Sequence, residues 1–548
     1  MAVDVVVTRG NDEPVLGLQK QAFEVLEDGK PQAIDLFEEH TAPAGAATLT
    51  ALQLPAHVST NQPTAPRGDS VNVLLLDSLN TPAPDQAFVH KQLAEFIQKI
   101  QPGMRIAVFT LNTRLRLLQG FTSDSSLLRA ALESKGAAAG TTTVSRTRDE
   151  DLRDKEDVMM TGEMSNTGGA DSGLAAQGMA SSLEQQSQNE AGMRSSITLA
   201  ALQQLARSLA AIPGRKNLIW FASTFPVSMF PNGDKEQLLA NGKEMGPAVR
   251  KTADLLTQAK VAVYPVSAQG IVLDRTTNAD SGGQPEGDDF ETNPFKGAPA
   301  NAANTAAMEQ LAHDTGGKAL YISNNLSQAV AGAIQDGSHY YTLVYTPPST
   351  KMDGKFHRIE VRLTEGKARL AYRRGYYADD AREEKPGDKA ATDPLPPLMA
   401  HGLPDSTQIL FEERVVPLLP QPGADAARAG GNAKLAGPLT RYKIDFAINP
   451  NNVALDPAPD GTHNGRIEVA LVAYDEAGKA VNWTGETLAL ILKPPAYAQI
   501  MRGGIPVHLQ LDLPAANLSL STGVYDLVAR RAGTLEVPVA AQTSAAAP

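Results

Sequence analysis

The chain has 548 residues, 42% hydrophobic and 20% charged, with a net charge of -12 and no cysteine. At roughly 150 residues per domain, that length calls for about three or four units rather than one core. The absence of thiols excludes disulfide frameworks, thiolate zinc sites, iron–sulfur clusters and cysteine nucleophiles, and the acidic balance argues against nucleic acid as a partner.

No apolar run approaches the roughly 20 residues that span a bilayer, so no transmembrane segment is expected within this chain. Met1–Val7 already reads as a strand and carries neither a basic nor an apolar leader. An export signal trimmed or missed ahead of it is therefore the expectation if the protein works outside the cytoplasm.

Residues 1–40 alternate as short strands, Val3–Val7, Phe23–Leu26 and Ile34–Phe37. Asp28-Gly29 between the last two is a hairpin signal, because glycine tolerates the positive φ of a tight turn. Residues 41–69, rich in Ala, Pro and Thr, read as a linker. The pattern then changes: Val71-Asn72-Val73-Leu74-Leu75-Leu76 is nearly continuous apolar sequence, as expected of a parallel strand covered on both faces.

A helix with Phe88, Leu93, Phe96 and Ile97 on one face follows, then strands Arg105–Leu111 and Leu115–Phe121 and a helix capped near Ser123 or Asp124. Further alternation is read at helix Leu199–Ile212, strand Asn217–Phe221, helix Ala248–Gln258, strand Val261–Val266, helix Ala306–Asp314 and strand Ala319–Ile322. This rhythm over 70–337 predicts a doubly wound, Rossmann-like α/β sheet. Two polar stretches interrupt it, 136–192 and 274–304, and neither has the apolar surface to offset its ordering entropy.

Strands return over 338–378, and those residues are expected to pair with 1–40 so that the α/β unit is inserted into one β module. A charged linker spans 379–396. Residues 397–540 hold only strand-like segments separated by turns such as Asn449-Pro450-Asn451-Asn452, which predicts a C-terminal antiparallel β-sandwich.

In an open parallel sheet ligands bind beyond the carboxyl ends of the strands, here first at Leu76-Asp77-Ser78-Leu79-Asn80-Thr81. This strand end, its following helix and Ser195–Leu202 resemble a von Willebrand factor A (VWA) domain. The phrases Phe23-Glu24-Val25-Leu26-Glu27-Asp28-Gly29-Lys30-Pro31-Gln32 and Arg373-Arg374-Gly375-Tyr376-Tyr377-Ala378 resemble, more narrowly, the VWFA-related domain proteins common in Acidobacteria. The resemblance spans about 1–378 and is weaker beyond 395.

The resemblance implies a metal-ion-dependent adhesion site for Mg²⁺. Carried over residue by residue, Asp77 takes the aspartate position, Thr81 the second hydroxyl, Ser196 (or alternatively Thr198) the second-loop threonine, and Ser223 the place of a third-loop aspartate. Leu79 stands where a serine should be, and an isobutyl group cannot ligate a hard cation. One carboxylate and two or three hydroxyls remain, a degenerate set for an ion that demands near-octahedral oxygen. The competing reading of Asp77 is that it caps the following helix.

Other motifs are weaker. The nine histidines are scattered. His313–Lys318 lacks phosphate-loop spacing, and Asp456–Glu468 departs from a calcium loop at its third position. No nucleophile, base or carboxylate pair accompanies Asp77, so no enzyme is expected and no catalytic residue is assigned. The expectation is a non-enzymatic, adhesion-type protein with an unidentified protein partner, placed by the resemblance in the periplasm, at the cell surface or outside the cell. The alternatives are a structural envelope protein with a decayed metal site and a regulatory subunit of an enzyme complex.

Overall fold

In the computed structural model the described residues are 1–10, 13–41, 54–63, 70–98, 100, 104–134, 170–224, 242–268, 308–320, 326–348, 355–378, 395–418, 428–435 and 437–539. The expected polar stretch 274–304 and the linker 379–396, up to residue 394, lie outside them.

The N-terminal strands pair with segments more than 300 residues away. Ala2–Arg9 runs antiparallel to Tyr340–Tyr345, with Val3 opposite Leu343 and Val5 opposite Tyr341. Phe23–Glu27 runs antiparallel to Phe356–Leu363, with Val25 opposite Val361. The alternation of apolar residues in these strands sends one face inward, so Val3, Val5, Val7, Phe23, Val25, Tyr341, Leu343, Ile359 and Val361 form one core between two small sheets. The Asp-Gly turn forms as its chemistry requires, with φ of 49° at Asp28 and 78° at Gly29.

Between these halves lies a five-stranded sheet. Its order is Val261–Ser267, Arg215–Ala222, Ser70–Asp77, Ile106–Leu111, Leu115–Thr122; the first four are parallel and the last is antiparallel. Ser70–Asp77 is central and buried on both sides. Val71, Val73 and Leu75 pack against the helices Ala170–Ser208 and Gly242–Gln258 and the helical turns over 308–315. Leu74 and Leu76 face the helices Ala83–Ile97, Ser125–Glu133 and Leu326–Ser338.

Three sequence expectations need correction here. The helix read from Leu199 begins at Ala170, so residues 170–192 of the stretch 136–192 expected to lack order are helical, while residues 136–169 lie outside the described ones. Residues 170–198 hold five Ala and four Gln, good helix formers whatever their polarity, among six Ser. Of the strand expected at Ala319–Ile322, residues 319–320 show one parallel bridge, Leu320 to Val266, and residues 321–322 lie outside the described ones. The helix Leu326–Ser338 was not read from the sequence, because its Ala and Gly content blurs the apolar face that packs as Val330, Ala333 and Ile334.

The C-terminal unit packs two antiparallel sheets through Ile444, Phe446, Leu471, Leu511, Leu520 and neighbours. It also takes a strand from the expected linker 41–69. Val58–Thr60 pairs with Arg414–Glu412 at its edge. Asn61 secures the docking: Nδ2 donates to the Ser406 and Ile409 carbonyls at 3.0 and 2.8 Å, and Oδ1 accepts from Phe411 N at 2.9 Å. The segment read as a linker is thus an edge strand for a sheet that begins some 350 residues later, a role its own composition does not announce.

The same unit is fixed to the α/β unit. Gln204 Nε2 donates to Ser406 Oγ at 3.3 Å and also bonds the Pro404 carbonyl, while Thr407 Oγ1 meets the carbonyls of Arg207 and Ser208. Asn61→Ala strands one buried backbone donor and two acceptors, so it should lower stability by about 2–3 kcal/mol, measured by urea unfolding. An unchanged midpoint would show that the strand is only laid alongside the sandwich.

Candidate functional site

The site expected at the carboxyl end of Ser70–Asp77 is a closed hydrogen-bonded knot. The strand leaves Asp77 2% exposed, beneath the start of the Ala83–Ile97 helix. Its Oδ1 accepts from the backbone N–H groups of Leu79 and Asn80 at 3.1 and 3.0 Å. Its Oδ2 accepts from Asn80 Nδ2 at 2.7 Å and from the Trp220 indole N–H at 2.9 Å. Burial pushes this carboxyl up to about 6, against the pull of the Asn80, Trp220 and Leu79 donors. With N–H groups on every side, a proton added to the carboxylate would have to displace one of them.

The remaining candidates fall into place around it unequally. Thr81 is buried and its Oγ1 accepts from Ser223 N at 3.3 Å. Ser223 is also buried, and its hydroxyl donates to Asp85 Oδ2 at 2.7 Å. Ser196 sits within the Ala170–Ser208 helix on an exposed position, not in a loop facing Asp77. Its alternative, Thr198, is fully buried and accepts from Asn80 Nδ2 at 3.0 Å. Leu79 is 1% exposed and packs into the sheet's apolar core.

Asp77, Thr81, Thr198 and Ser223 are therefore neighbours, and Ser196 is not. Asn80 and Asp85, which join them, have no place in the ligand set that the resemblance implies. Asp85 carried one signal, an acidic residue in the first turn of a helix.

These residues do not fit Mg²⁺. Octahedral coordination needs carboxylate lone pairs aimed at a shared space, whereas those of Asp77 meet four N–H groups, three of which (two backbone amides and an indole) can only donate. The crevice beside the carboxylate, lined by Ser78, Thr81, Gln86, His90 and Phe221, has a volume of about 10 Å³, room for a single water.

A second group of buried carboxyls lies in the C-terminal sandwich and gave no sequence signal beyond an acidic residue in an alternating strand. Glu413 is 1% exposed, and the Thr522 hydroxyl beside it, which tempers the effect of burial, has its hydrogen bond at 3.2 Å directed to the Leu535 carbonyl. Burial, with a smaller push from the Asp405 carboxyl, raises Glu413 to about 8, and burial raises Asp405 to about 7.

No family model matches this sequence, and no curated protein does. Among solved structures, the chain is similar to an aerotolerance-related membrane protein from Bacteroides fragilis, at 11% identity and a TM-score of 0.25 over 50% of this chain and 98% of that one. BatB from Bacteroides thetaiotaomicron gives 12% identity and a TM-score of 0.24 over 49% and 97%. The VWA domain of SpRpn10 gives 10% and 0.20, over 49% and 97%. Likeness at this level transfers no function to the chain.

Two outcomes follow from the geometry. Asp77→Ala leaves four buried donors without their acceptor and should cost about 3 kcal/mol or more, read by denaturant unfolding. For Glu413, a folded value near 8 against an ordinary 4.5 means that the native state holds the extra proton between those limits. Stability therefore falls as pH rises from about 4.5 to about 8. Glu413→Gln should flatten that part of the Tm–pH profile and raise Tm at pH 8; an unaltered profile would show the carboxyl to be solvated.

Proposed function

We propose that the chain is a non-enzymatic, extracytoplasmic binding protein. Its doubly wound, VWA-type unit offers the loops at the carboxyl ends of its strands to a protein partner without an intervening metal ion. The observation that carries this reading is the closure of Asp77: the position that a metal-dependent adhesion site would use to hold Mg²⁺ is turned inward as a structural bond between strand, helix and Trp220. The hydroxyl–carboxylate contact in the site, Ser223 Oγ to Asp85 Oδ2 at 2.7 Å, is made by a fully buried serine, which supports a binding rather than a chemical role. Placement outside the cytoplasm is supported by the resemblance of the flanking phrases to VWFA-related domain proteins.

A structural envelope role is the second reading. It is favoured by the interlocking of all three units through the Val58–Thr60 strand and the Gln204 and Thr407 contacts.

The test is chelation. Millimolar Mg²⁺ or Mn²⁺ should leave the melting temperature of the full chain unchanged, and envelope proteins retained by the immobilised chain should stay bound in EDTA. An ion-dependent Tm shift that disappears in Asp77→Ala, or retention abolished by chelator, would restore the metal-dependent site. No retention under either condition would favour the structural role.

A further inference from the structure

The two phrases that carry the resemblance, some 350 residues apart, meet in space at the tip of the N-terminal β module. The hairpin turn places Asp28 against the start of the Phe356–Leu363 strand, where Asp28 N donates to Arg358 O and Arg358 N donates back to Asp28 Oδ1, both at 2.9 Å. Gly375–Tyr377 closes the other side of that strand. Gly375 is required there, because a Cβ would come within 2.3 Å of both the His357 carbonyl and the Phe356 ring.

His357 lies between the two. Its Nδ1 is 2.8 Å from Asp28 Oδ2 and 3.9 Å from Glu27 Oε1, and the three ligand atoms lie within 4.8 Å of one another.

We propose that Glu27, Asp28 and His357 form a binding site for a borderline divalent cation of the Zn²⁺ class, with one position left open to water. One imidazole nitrogen and two carboxylate oxygens suit such an ion better than Mg²⁺, which seeks oxygen alone. Ligands about 2.1 Å from a tetrahedral ion stand about 3.4 Å apart. The two distances from His357, 2.8 and 3.9 Å, bracket that value, so the ion enters by small movements and takes the place of the hydrogen bond between His357 and Asp28.

The supporting residues hold each ligand from behind. Glu27, 1% exposed, accepts from the hydroxyls of Tyr345 at 2.6 Å and Tyr376 at 3.2 Å. Asp28 keeps its other oxygen on Arg358 N. The Tyr376 ring stacks on the imidazole at 5.3 Å and 21°, fixing its plane. Ligands oriented in this way are what a metal centre needs.

The cationic groups near Glu27 are the Met1 amino group and the Arg373 guanidinium, which bonds the Ala2 carbonyl and the Met1 sulfur. Access is open from solvent, since the Asp28 and His357 side chains are 48% and 15% exposed. The site is independent of the reading given for Asp77.

The experiment uses the full chain, stripped with EDTA and titrated with ZnCl₂ and, separately, CoCl₂. Uptake of a single equivalent is expected, with a rise in Tm and the visible absorption of Co²⁺ in a four- or five-coordinate site. His357→Ala and Asp28→Asn should each weaken binding by about 100-fold or more and abolish the Co²⁺ spectrum. His508→Ala removes a histidine paired at 2.6 Å with only one carboxylate, Asp445, and should change neither. Asp28 is exposed enough for its asparagine variant to fold, which an unchanged Tm in EDTA would verify. Absence of saturable binding by the wild type, or equal binding by His357→Ala, overturns the site and leaves the cluster a hydrogen-bonded clasp.

Discussion

The architecture depends on one non-local pairing: apart from the short Glu13–Pro14 strand that pairs with Thr8 and Arg9, the first strand of the chain finds its partners only once residue 340 is made. Val3 and Val5 become buried only when Leu343 and Tyr341 stand opposite them, and Val25 only when Val361 arrives. Everything between must therefore leave the module and return to it at nearly the same place. The α/β unit meets that condition because its entry through Ser70–Asp77 and its exit through Leu326–Ser338 lie against one another, with Tyr340 OH accepting from Arg215 N at the base of the adjoining strand. Thr315 bridges to Arg373 and Asp314 O accepts from Arg374 N, so the return path is also bonded to the inserted unit.

Asp77 shows how the same residue type can serve opposite ends. A carboxylate at the tip of a buried parallel strand can be aimed outward at a cation or inward at backbone amides. What decides the matter here is its neighbours. Leu79 draws the loop down into the core, Asn80 supplies a side-chain donor, and Trp220 from the adjacent strand supplies another. The N–H donors that surround the carboxylate give the pocket the electrostatic character of an anion's cradle.

Much of the secondary structure was legible in the sequence. The unbroken apolar run Val71–Leu76 marks a strand covered on two faces, and Ser70–Asp77 is that strand. Asp28-Gly29 marks a turn with positive φ at both residues, and both have it. What could not be read depends on partners far along the chain. Val58-Ser59-Thr60 is too short and too mixed to declare itself a strand, and is one only because Phe411–Pro417 offers an edge. At the site, Asp77 is marked by its place at the end of a buried strand, and Ser223 only by the resemblance. Their saturation by Trp220 and Asp85 follows from register between strands, which no local pattern encodes. Glu27 and His357 are separated by 330 positions, and their meeting is a property of the closed module alone.

The pairing of early strands with late ones also sets an order of events during synthesis. The apolar residues of 70–337 find their partners within that interval, whereas Ala2–Arg9 waits for Tyr340–Tyr345 and Val58–Thr60 waits for Phe411–Pro417. At about 5–20 residues per second, both edges stand open for tens of seconds at the ribosome or translocon exit. Each is a hydrogen-bonding template for any neighbouring chain in that period. The exposure ends only when the last third of the chain has emerged and both edges are covered.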